Sequence, residues 1–314
     1  MDEIKDNEEI VNDTLFNSDN IKEESNNEKS VTSIVEEKIK GEKEEDTSIE
    51  VLSPEEAKKI EFSSDDNEQN EKTNHTLRVS SLYKSFGHKK VVRGIEFQMK
   101  MGEVLGLLGP NGAGKTTTFY MVVGFYKPTA GDVFLDDKCV TDLPMFKRAR
   151  LGIAYLPQEP SVFRKFTVEE NIWSILETRR DLTTKEKKEK LESLIEEFSI
   201  GRIRKQKAFT LSGGERRRTE IARSLAMEPK FLLLDEPFAG IDPIAVADIK
   251  HMVRLLAKRG IGILITDHNV RDTLEITDRA IIVNQGTIIT QGTKEDILSS
   301  EEAREIYLGK DFSM

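Results

Sequence analysis

The stretch GPNGAGKT, residues 109 to 116, decides the fold of this chain. It fits the pattern Gly-x-x-x-x-Gly-Lys-Ser/Thr, with the apolar run VLGLLG at 104–109 before it and the segment TTFYMVV at 117–123 after it. The run predicts a buried strand and the segment predicts a helix, which is the context that this phosphate-binding motif requires. Glycine permits the sharp curl that aims backbone N–H groups at phosphate oxygens. The stretch therefore predicts a nucleotide-binding α/β fold.

The residues of this loop supply the predicted contacts with phosphate. The N-terminus of the following helix adds partial positive charge. Lys115 supplies a point charge for the β- and γ-phosphates, and the hydroxyl of Thr116 can ligate Mg²⁺. The predicted nucleotide-binding residues of the loop are Gly109, Pro110, Asn111, Gly112, Ala113, Gly114, Lys115, Thr116 and Thr117. A chance glycine loop is the alternative, and a strand, a helix, a lysine and a threonine in register argue against it.

A second motif, FLLLDEP at residues 231–237, predicts an apolar strand that ends in two carboxylates. Asp235, at the strand end, is expected to meet Mg²⁺ directly or through water. Glu236 suits a general base that polarises the water attacking the γ-phosphate. An isolated Asp-Glu pair is usually a solvated turn, but the apolar run before this pair places it at a strand tip.

Charge divides the chain of 314 residues into two unequal parts. Residues 1–75 hold 24 Asp and Glu against 9 Lys and Arg, whereas the remaining residues hold 33 against 38. The first part has few apolar residues, so burial cannot offset the entropy of ordering it, and it is predicted to be a disordered acidic extension. Its short apolar clusters at 33–39 and 49–52 could serve as docking motifs. The acidic excess argues against nucleic acid as a partner.

The cysteine content and the first residues bear on the compartment. Cys139 is the only cysteine, which excludes a disulfide framework and fits a reducing environment. No run of about 18 apolar residues is present. The acidic start MDEIKDNEEI lacks the apolar region of a secretory signal. We therefore expect a cytoplasmic protein whose association with a membrane depends on a partner.

Periodicity along residues 76–314 predicts a mostly parallel sheet with helices between its strands. Alternation of apolar and polar residues around Leu77 and Phe97 predicts antiparallel strands. Buried strands are predicted at 153–156, 231–235 and 261–266, and a hairpin with the turn Asn284-Gln285-Gly286 is predicted at 280–289. Capping boxes that begin at Thr167 and Thr183 predict helices, so the stretch 160–225 is expected to be rich in helix.

The motif LSGGE at residues 211–215 narrows the class of nucleotide-binding protein. Together with the phosphate loop, the YLPQ turn that contains Gln158, the LLLDEP strand and the ITDH segment that contains His268, it resembles the ABC transporter ATPases. From Leu77 to Phe312 the chain resembles, nearly without interruption, one group within that family: the ATP-binding subunits of lipopolysaccharide exporters. The resemblance implies an α/β P-loop NTPase core of RecA-like type, with an antiparallel β subdomain and an inserted α-helical subdomain at about 160–225.

The resemblance also implies a homodimer with two ATP molecules at its interface. Ser212, Gly213 and Gly214 would contact the γ-phosphate bound by the other protomer. The residues themselves support this, because Ser-Gly-Gly precedes a helix predicted from Arg216 to Met227 and offers N–H groups that its own subunit leaves unused. A second phosphate-binding helix tip needs a second nucleotide, which favours a symmetric dimer.

Further site residues are implied by the resemblance. Gln158 would reach Mg²⁺ and the attacking water, and His268 would hydrogen-bond the γ-phosphate and steady Glu236. Asp242 would line the dimer interface beside the phosphate loop. The implied catalytic residues are Lys115, Gln158, Glu236 and His268, and the implied ligands of Mg²⁺ are Thr116, Gln158 and Asp235. An ordinary histidine at a strand end is the alternative for His268.

An aromatic ring is expected to stack on the adenine of ATP. The family usually has a tyrosine at this position, whereas the matching residue here is Phe86, with Tyr83 three residues earlier. On a regular strand an odd spacing puts two side chains on opposite faces, so only one can stack, and we choose Phe86. The ring face supplies the stacking, so the missing hydroxyl should matter little.

The loop SVFRKF, residues 161–166, joins two aromatic rings to an Arg-Lys pair. Because it follows Gln158, it can move with the nucleotide state. Phe163 is expected to be exposed and to insert into a membrane permease subunit, while Arg164 and Lys165 pair with acidic or carbonyl groups of that partner. In the family that the chain resembles, this loop borders a groove that holds helices of the membrane subunits.

Phe166 is expected to behave differently from Phe163. It directly precedes Thr167, the predicted N-cap, and a residue at that position often packs back onto the helix it precedes. We therefore expect Phe166 to face the protein's own core near Ile172.

The leading hypothesis is an ATPase that drives lipopolysaccharide extraction from the inner membrane and export toward the outer membrane, without touching the lipid. The ATPase of another ABC importer or exporter, such as a branched-chain amino-acid permease, is the alternative, because a different partner changes only the docking groove. Soluble ABC ATPases acting on ribosomes or DNA usually carry two such modules or long insertions, which this chain lacks. A regulatory binder without turnover disagrees with the intact catalytic residues.

Overall fold

The computed structural model describes residues 75–309. The predicted disordered extension and its two apolar clusters lie outside the described residues, and so do residues 310–314. The strands are β1 (Thr76–Phe86), β2 (Lys89–Lys100), β3 (Val104–Leu108), β4 (Ala130–Leu135), β5 (Lys138–Cys139), β6 (Ile153–Leu156), β7 (Phe231–Asp235), β8 (Gly262–Thr266), β9 (Arg279–Asn284) and β10 (Thr287–Gly292). The helices are α1 (Lys115–Val123), α2 (Met145–Leu151), α3 (Val168–Leu176), α4 (Thr184–Glu197), α5 (Gly213–Leu225), α6 (Pro243–Lys258), α7 (Val270–Ile276), α8 (Lys294–Ser299) and α9 (Glu301–Ala303).

A six-stranded sheet in the order β10-β9-β3-β8-β7-β6 lies at the centre of the fold. Its strands are parallel except for β10, which pairs antiparallel with β9. The predicted strands at 153–156 and 231–235 have those bounds, and the strand predicted from Ile261 begins at Gly262. Apolar runs buried on both faces are typical of parallel strands. The predicted mostly parallel sheet is confirmed.

The two faces of this sheet pack against different elements. On β7, Leu232 and Leu234 belong to the apolar core that includes residues of α3, α4 and α5, whereas Phe231 and Leu233 belong to the core that includes α1 and the antiparallel strands. Successive side chains of a strand point to opposite faces, so one short apolar run anchors both layers. Burial of each such side chain stabilises the fold by about 1.5–3 kcal/mol. The carboxyl edge of the sheet is thereby held between two packed layers.

A second sheet is antiparallel and has the strand order β2-β1-β4-β5. In it Leu77 lies opposite Met99, so the antiparallel strands predicted from the alternation around Leu77 and Phe97 are present. The register between β1 and β2 shifts at two points between Leu82 and Ser85. A register shift of this kind interrupts the alternation of faces, so the end of β1 does not follow the rule that holds at its start.

The predicted hairpin joins β9 to β10. Asn284 pairs with Thr287, which leaves Gln285 and Gly286 as a two-residue turn with φ of 47° and 84°. Two successive residues with positive φ are typical of the hairpin turn whose twist matches the strands. A Cβ on Gly286 would lie 2.4 Å from the carbonyl oxygen of Val91, so glycine is required there.

The helices begin where side-chain caps are available. Both predicted capping boxes are present, at Thr167 for α3 and at Thr183 for α4. The helix predicted from Arg216 to Met227 is α5, but it begins at Gly213 and ends at Leu225. It starts earlier because Ser212 forms a capping box with Glu215. Within residues 75–309, none of the helices has the length and the apolar character that crossing a membrane would need.

Candidate active site

The carboxyl ends of neighbouring parallel strands bring the predicted site residues together. β8 lies between β3 and β7 and is parallel to both. The phosphate loop follows β3, Asp235 ends β7 with Glu236 next to it, and His268 comes shortly after β8. β6, on the other side of β7, leads to Gln158. Ligand sites of parallel α/β sheets form at this edge.

The backbone of the phosphate loop adopts conformations that require glycine. Gly109 has a φ of 146°, and a Cβ there would lie 2.0 Å from the carbonyl oxygen of Val283 in β9. Gly114 has a φ of 103°, and its Cβ would lie 2.9 Å from the carbonyl oxygen of Val91 in β2. Any side chain at these positions would force the loop away from the two strands that support it.

The N-terminus of α1 carries donors that nothing in the described part of the chain satisfies. Gly114 is the N-cap and provides no side-chain hydrogen bond. The N–H groups of Lys115, Thr116 and Thr117 have no acceptor among residues 75–309. Orphan donors at a helix start, combined with the helix dipole, form a binding site for an anion. This arrangement supports the phosphate contacts that the sequence predicts for the loop.

Lys115 folds back over the loop that precedes it. Its Nζ donates hydrogen bonds to the carbonyl oxygens of Gly109 at 2.6 Å and of Pro110 at 3.0 Å. Burial lowers the pKa of this lysine, and the negative charge of Glu236 acts in the opposite direction. The ammonium group is therefore held beside the curled backbone, where a point charge can meet phosphate oxygens.

Glu236 is the point at which the predicted catalytic residues converge. Its Oε2 accepts a hydrogen bond from Nε2 of Gln158 at 2.8 Å and lies 3.5 Å from Nδ1 of His268. Glu236 has a φ of 43°, and its N–H donates to the carbonyl oxygen of Thr266 at 2.7 Å. A left-handed conformation costs a non-glycine residue about 1–3 kcal/mol and persists only where the surroundings impose it. Here the neighbouring strand β8 imposes it and so fixes the carboxylate at the sheet edge.

Asp235 is almost inaccessible to solvent, with 4 % of its surface exposed. Burial, and next the negative charge of Glu236, raise the pKa of its carboxyl group to about 6. The hydroxyl of Tyr155 donates to its Oδ2 at 3.4 Å, a contact that sequence analysis did not anticipate. A buried carboxylate beside a second carboxylate is a place where a cation relieves an unfavourable charge.

The oxygen donors of the three predicted ligands fit the magnesium ion that the fold implies. Mg²⁺ prefers oxygen ligands and is usually bound by one or two carboxylates together with substrate phosphates. The predicted ligands Thr116, Gln158 and Asp235 supply one hydroxyl, one amide and one carboxylate. Over the described range 75–309, no group of three or more His, Cys, Asp or Glu side chains could hold a metal ion. The donor set therefore suits an ion shared with a nucleotide and not one held by protein alone.

Asp267 has a structural part in the site to which sequence analysis assigned no role. The residue is completely buried, its Oδ2 accepts the N–H of Phe238 at 3.1 Å, and its Oδ1 accepts the N–H of Asn269 at 2.8 Å. Burial raises the pKa of this carboxyl group. The side chain ties the segment after β7 to the segment after β8, so Glu236 and His268 keep their relative positions. An acidic residue directly after a buried strand was the signal that could have revealed it.

The Ser-Gly-Gly tip of α5 corrects one expectation. Oγ of Ser212 accepts the N–H of Glu215 at 3.3 Å, and the Glu215 carboxylate accepts the N–H of Ser212 at 2.9 Å. The expectation that the N–H groups of this tip are unused in their own subunit is wrong for those of Ser212 and Glu215, because the capping box satisfies them. The N–H groups of Gly213 and Gly214 have no acceptor in the described part of the chain and remain available. No hydrogen bond within that part joins this tip to the phosphate loop.

Asp242 serves α6 in this structure. It is the N-cap, and its Oδ1 accepts the N–H of Ala245 at 3.0 Å. A cap of this kind stabilises a helix by about 1 kcal/mol. Asp242 is also exposed, so a place at an interface between subunits is open to it.

Phe86 and Tyr83 are both exposed at the end of β1, at 45 % and 46 %. The argument from strict alternation does not apply to them, because the register of β1 shifts between Leu82 and Ser85. The two rings nevertheless lie against different neighbours. Phe86 packs edge-on against Tyr126 with 5.4 Å between ring centroids, whereas the hydroxyl of Tyr83 lies against Gly94.

Phe163 and Phe166 are exposed together, at 48 % and 43 %, with 5.3 Å between ring centroids. The exposure expected for Phe163 is confirmed, but the expectation that Phe166 faces the protein's own core is wrong. The reason lies in the first turn of α3. The residue one turn into the helix, where Phe166 would need an apolar partner, is Asn171, and its amide is bonded to the backbone of Phe163.

Comparison with known proteins agrees with this geometry. A family model described as ABC transporter matches residues 92–239. The lipopolysaccharide export system ATP-binding protein of Haemophilus influenzae is 52 % identical over 238 residues, which is 76 % of this chain and 99 % of that protein. The protein of the same name from Escherichia coli strain K12 is 50 % identical over 239 residues, again 76 % of this chain and 99 % of that protein.

Among solved structures, the ADP conformation of an ATP-binding cassette of an ABC transporter superposes with a TM-score of 0.67 at 30 % identity. It covers 75 % of this chain and 99 % of the other. Residues 92–239, matched by the family model, include the phosphate loop, Gln158, the Ser-Gly-Gly tip and the two carboxylates at the end of β7. The predicted α/β P-loop fold, with an antiparallel subdomain and an inserted helical subdomain, is confirmed, and the chain belongs to the family of ABC transporter ATPases.

Proposed function

We propose that this chain is the ATP-hydrolysing subunit of an ABC transporter that powers extraction of lipopolysaccharide from the inner membrane and its export toward the outer membrane. Two relatives are named as ATP-binding proteins of lipopolysaccharide export systems, and this chain covers 99 % of each. These similarities do not favour the ATPase of a branched-chain amino-acid permease. The observation that carries the catalytic half of the proposal is the convergence of Gln158 and His268 on one oxygen of Glu236.

The proposed reaction is attack of water on the γ-phosphate of ATP, in which the bond between the γ-phosphorus and its bridging oxygen breaks and ADP leaves. Oε2 of Glu236 orients the water and takes its proton, while Gln158 and His268 hold that carboxylate from two sides. Lys115 neutralises negative charge that develops on the phosphoryl oxygens. Catalysis then rests on positioning and electrostatics and forms no covalent bond with the protein.

Magnesium would be held by Thr116, Gln158 and Asp235. When bound, this ion neutralises charge on the β- and γ-phosphates. Asp235 contributes as an ionised carboxylate, and its burial next to Glu236 makes that ionisation unfavourable until positive charge arrives. The folded protein therefore carries an unfavourable interaction at Asp235 that a bound cation would relieve.

The proposed active unit is a homodimer in which each chain completes the nucleotide site of its partner. The free N–H groups of Gly213 and Gly214 would meet the γ-phosphate bound to the other chain. Asp242, exposed at the start of α6, would line the interface, and Phe86 would stack on adenine. Binding of two ATP molecules would draw the subunits together, and hydrolysis would separate them.

Coupling to transport is assigned to the exposed surface around Phe163 and Arg164. An aromatic ring beside an arginine suits the anchoring contact of an interface, and permease subunits of the membrane would dock there. The chain would thus work at the cytoplasmic face of the inner membrane without contacting the transported lipid. In this proposal residues 76–314 form the nucleotide-binding domain, with its helical subdomain at about 160–225, and residues 1–75 are a separate acidic extension.

Affinity capture of the full chain from detergent-solubilised membranes of its own cells tests the proposal. Mass spectrometry should find permease subunits of a lipopolysaccharide exporter. Phe163→Ala should release them while ATP hydrolysis by the purified chain stays near that of the parent. Phe146→Ala, which removes an equally exposed ring on α2, is the matched control and should retain them. Capture of amino-acid permease subunits, or of nucleic-acid-binding complexes, would contradict the proposed transporter.

A further inference from the structure

Helix α5 has three charged side chains directed at the loop that contains Gln158. Arg217 is 5 % exposed and Glu220 is 2 % exposed, so both lie in the interior, and Arg223 follows one turn later. The proposed chemistry uses none of the three. Charged side chains in an interior are costly unless they are paired and hydrogen-bonded, so a buried group of this kind calls for a physical explanation.

Glu220 bonds in two directions. Its Oε1 accepts the backbone N–H of Ser161 at 2.6 Å, and its Oε2 accepts Nη1 of Arg217 at 3.2 Å. Nη1 of Arg217 also donates to the carbonyl oxygen of Pro157 at 2.8 Å. These hydrogen bonds therefore hold the loop on both sides of Gln158, at Pro157 one residue before it and at Ser161 three residues after it.

The contacts continue from Ser161 to the proposed docking residue. Nη2 of Arg223 donates to Oγ of Ser161 at 2.8 Å, and its guanidinium lies 5.2 Å from the centroid of the Phe163 ring. Asn171, which is completely buried, accepts the N–H of Phe163 at 2.8 Å and donates to its carbonyl oxygen at 3.2 Å. The backbone of Phe163 is thus fixed from α3 while its ring stays exposed and contacts α5.

The same helix begins with the Ser-Gly-Gly tip. Its N-terminus presents the free N–H groups of Gly213 and Gly214, and Glu220 lies two turns further along. A helix of 13 residues moves as a stiff body, so a displacement of its tip reaches Glu220 and Arg223. Nη1 of Arg217 is bonded on two sides, whereas its Nε and Nη2 are buried without a partner in the described part of the chain. Hydrogen bonds in such an interior transmit a displacement because breaking one of them leaves a further desolvated group unpaired.

We propose that Glu220 is a positioning residue that makes α5 and the loop 157–163 move as one unit. Contact of the α5 tip with the nucleotide of the partner chain is then linked mechanically to the position of Phe163, where the membrane partner docks. The link rests on the proposed dimer. It adds to that dimer a specific connection, the carboxylate of Glu220 between Arg217 and the backbone of Ser161.

Amide hydrogen exchange on the full chain tests this link. The parent is the Glu236→Gln variant, in which bound Mg²⁺·ATP should persist. ATP should protect 109–117 directly, protect 212–215 through the dimer, and change the exchange of 161–163 through Glu220. Glu220→Gln keeps the shape but has a single acceptor oxygen, so its amide N–H₂ must face either the N–H of Ser161 or the guanidinium of Arg217, and one of the two hydrogen bonds is lost. The ATP response at 161–163 should therefore fall about tenfold while the other two responses remain.

Two further variants keep the test decisive if Glu220→Gln folds poorly. Ser161→Ala removes only the hydroxyl contacts with Glu220 and Arg223, and it should reduce the response about threefold. Glu192→Gln is the matched control, because this exposed carboxylate on α4 pairs with Arg204 and should alter nothing in the loop. An unchanged response at 161–163 in Glu220→Gln, or in Ser161→Ala where Glu220→Gln does not fold, would overturn the link. A parent that shows no protection at 212–215 would instead contradict the dimer itself.

Discussion

The two helix starts proposed to meet phosphate, those of α1 and α5, are built in opposite ways. α1 follows Gly114, has no side-chain cap, and leaves consecutive N–H groups without acceptors in the described part of the chain. α5 follows Ser212 and closes a complete capping box with Glu215, so at this tip only the N–H groups of Gly213 and Gly214 lack an acceptor among residues 75–309. In the proposed function the first start holds a nucleotide of its own chain. The second is capped without one and would offer a smaller contact to a phosphate held by the partner.

The same contrast extends to stability. In the nucleotide site to which α1 belongs, Glu236 has a positive φ and Asp235 is buried with a raised pKa, and both features lower the stability of the folded state. On the α5 side, the capping box favours folding. Residues that do chemistry commonly lower stability, whereas residues that only complete a partner's site need not do so. Substitutions on the two sides should therefore differ in sign as well as in size.

Glu236→Gln should give the largest effect and tests whether the two helix starts meet at one phosphate. Loss of a general base typically slows a reaction by about 10²- to 10⁴-fold. ATP hydrolysis, measured as phosphate release, should fall within that range while ATP still binds. Sedimentation at saturating Mg²⁺·ATP should then show a dimer. A variant that stays monomeric under these conditions would break the comparison, since α5 would have no phosphate to meet.

Asp235→Asn should increase the stability of the nucleotide-free protein. The folded carboxyl group has a pKa of about 6 against a usual 3.8, so the folded state binds the proton more tightly than the unfolded state does. Ionisation of Asp235 therefore lowers the free energy of unfolding by about 3 kcal/mol above pH 6. It has no effect at a pH below both pKa values. Urea unfolding should show that the Asp235→Asn variant is more stable than the parent by up to about 3 kcal/mol at pH 7.5 and by about half of that at pH 5. Equal stability at pH 7.5 would mean that Asp235 is not under electrostatic strain.

Lys115→Ala should weaken nucleotide binding within a single chain. The ammonium group is expected to make charge-assisted hydrogen bonds with phosphate, and losing them costs about 1.5–3 kcal/mol, or roughly 10- to 100-fold in the dissociation constant of ATP. Titration with a fluorescent ATP analogue measures this change. Lys185→Ala, on the exposed face of α4, is the control and should bind as the parent does. Unchanged affinity in Lys115→Ala would remove the distinction between α1 and an ordinary helix start.

Ser212→Ala should have the smallest effect and separates capping from dimer formation. Loss of the cap should cost about 1 kcal/mol of stability. Thr183→Ala, which removes the same kind of capping box from α4, should cost a similar amount. Only Ser212→Ala should also weaken the ATP-dependent dimer of the Glu236→Gln protein, without changing the ATP affinity of the single chain. Equal dimerisation in both variants would show that the α5 tip stabilises a helix and does nothing further.

Short-range features were predictable because their geometry depends on residues next to one another. The phosphate loop, the capping boxes at Thr167 and Thr183, and the turn at Gln285 and Gly286 all lie within a few residues of chain. The box at Ser212 was missed although its Ser-x-x-Glu pattern is of the same type, and this omission moved the predicted start of α5. The signals for turns and capping boxes were therefore reliable where they were used.

Two arguments about aromatic side chains failed, one for a local reason and one for a long-range reason. Phe166 has the sequence position of a residue that packs onto its own helix, but Asn171 occupies the place of the apolar partner, and the sequence alone shows that residue. The argument for the last part of β1 fails for the long-range reason. Its register against β2 shifts, and no spacing within LYKSF indicates the shift.

The sequence by itself determined the class of this protein, because each motif places the residues that it needs within one turn or at one strand end. Only the tertiary structure decided that Gln158 bonds to Glu236, 78 residues away, and that Glu220 bonds to Ser161, 59 residues away. The order of strands in the sheet and the packing of α5 on the loop create these pairs. Such long-range contacts are fixed by how buried surfaces fit together, and no local pattern encodes that fit.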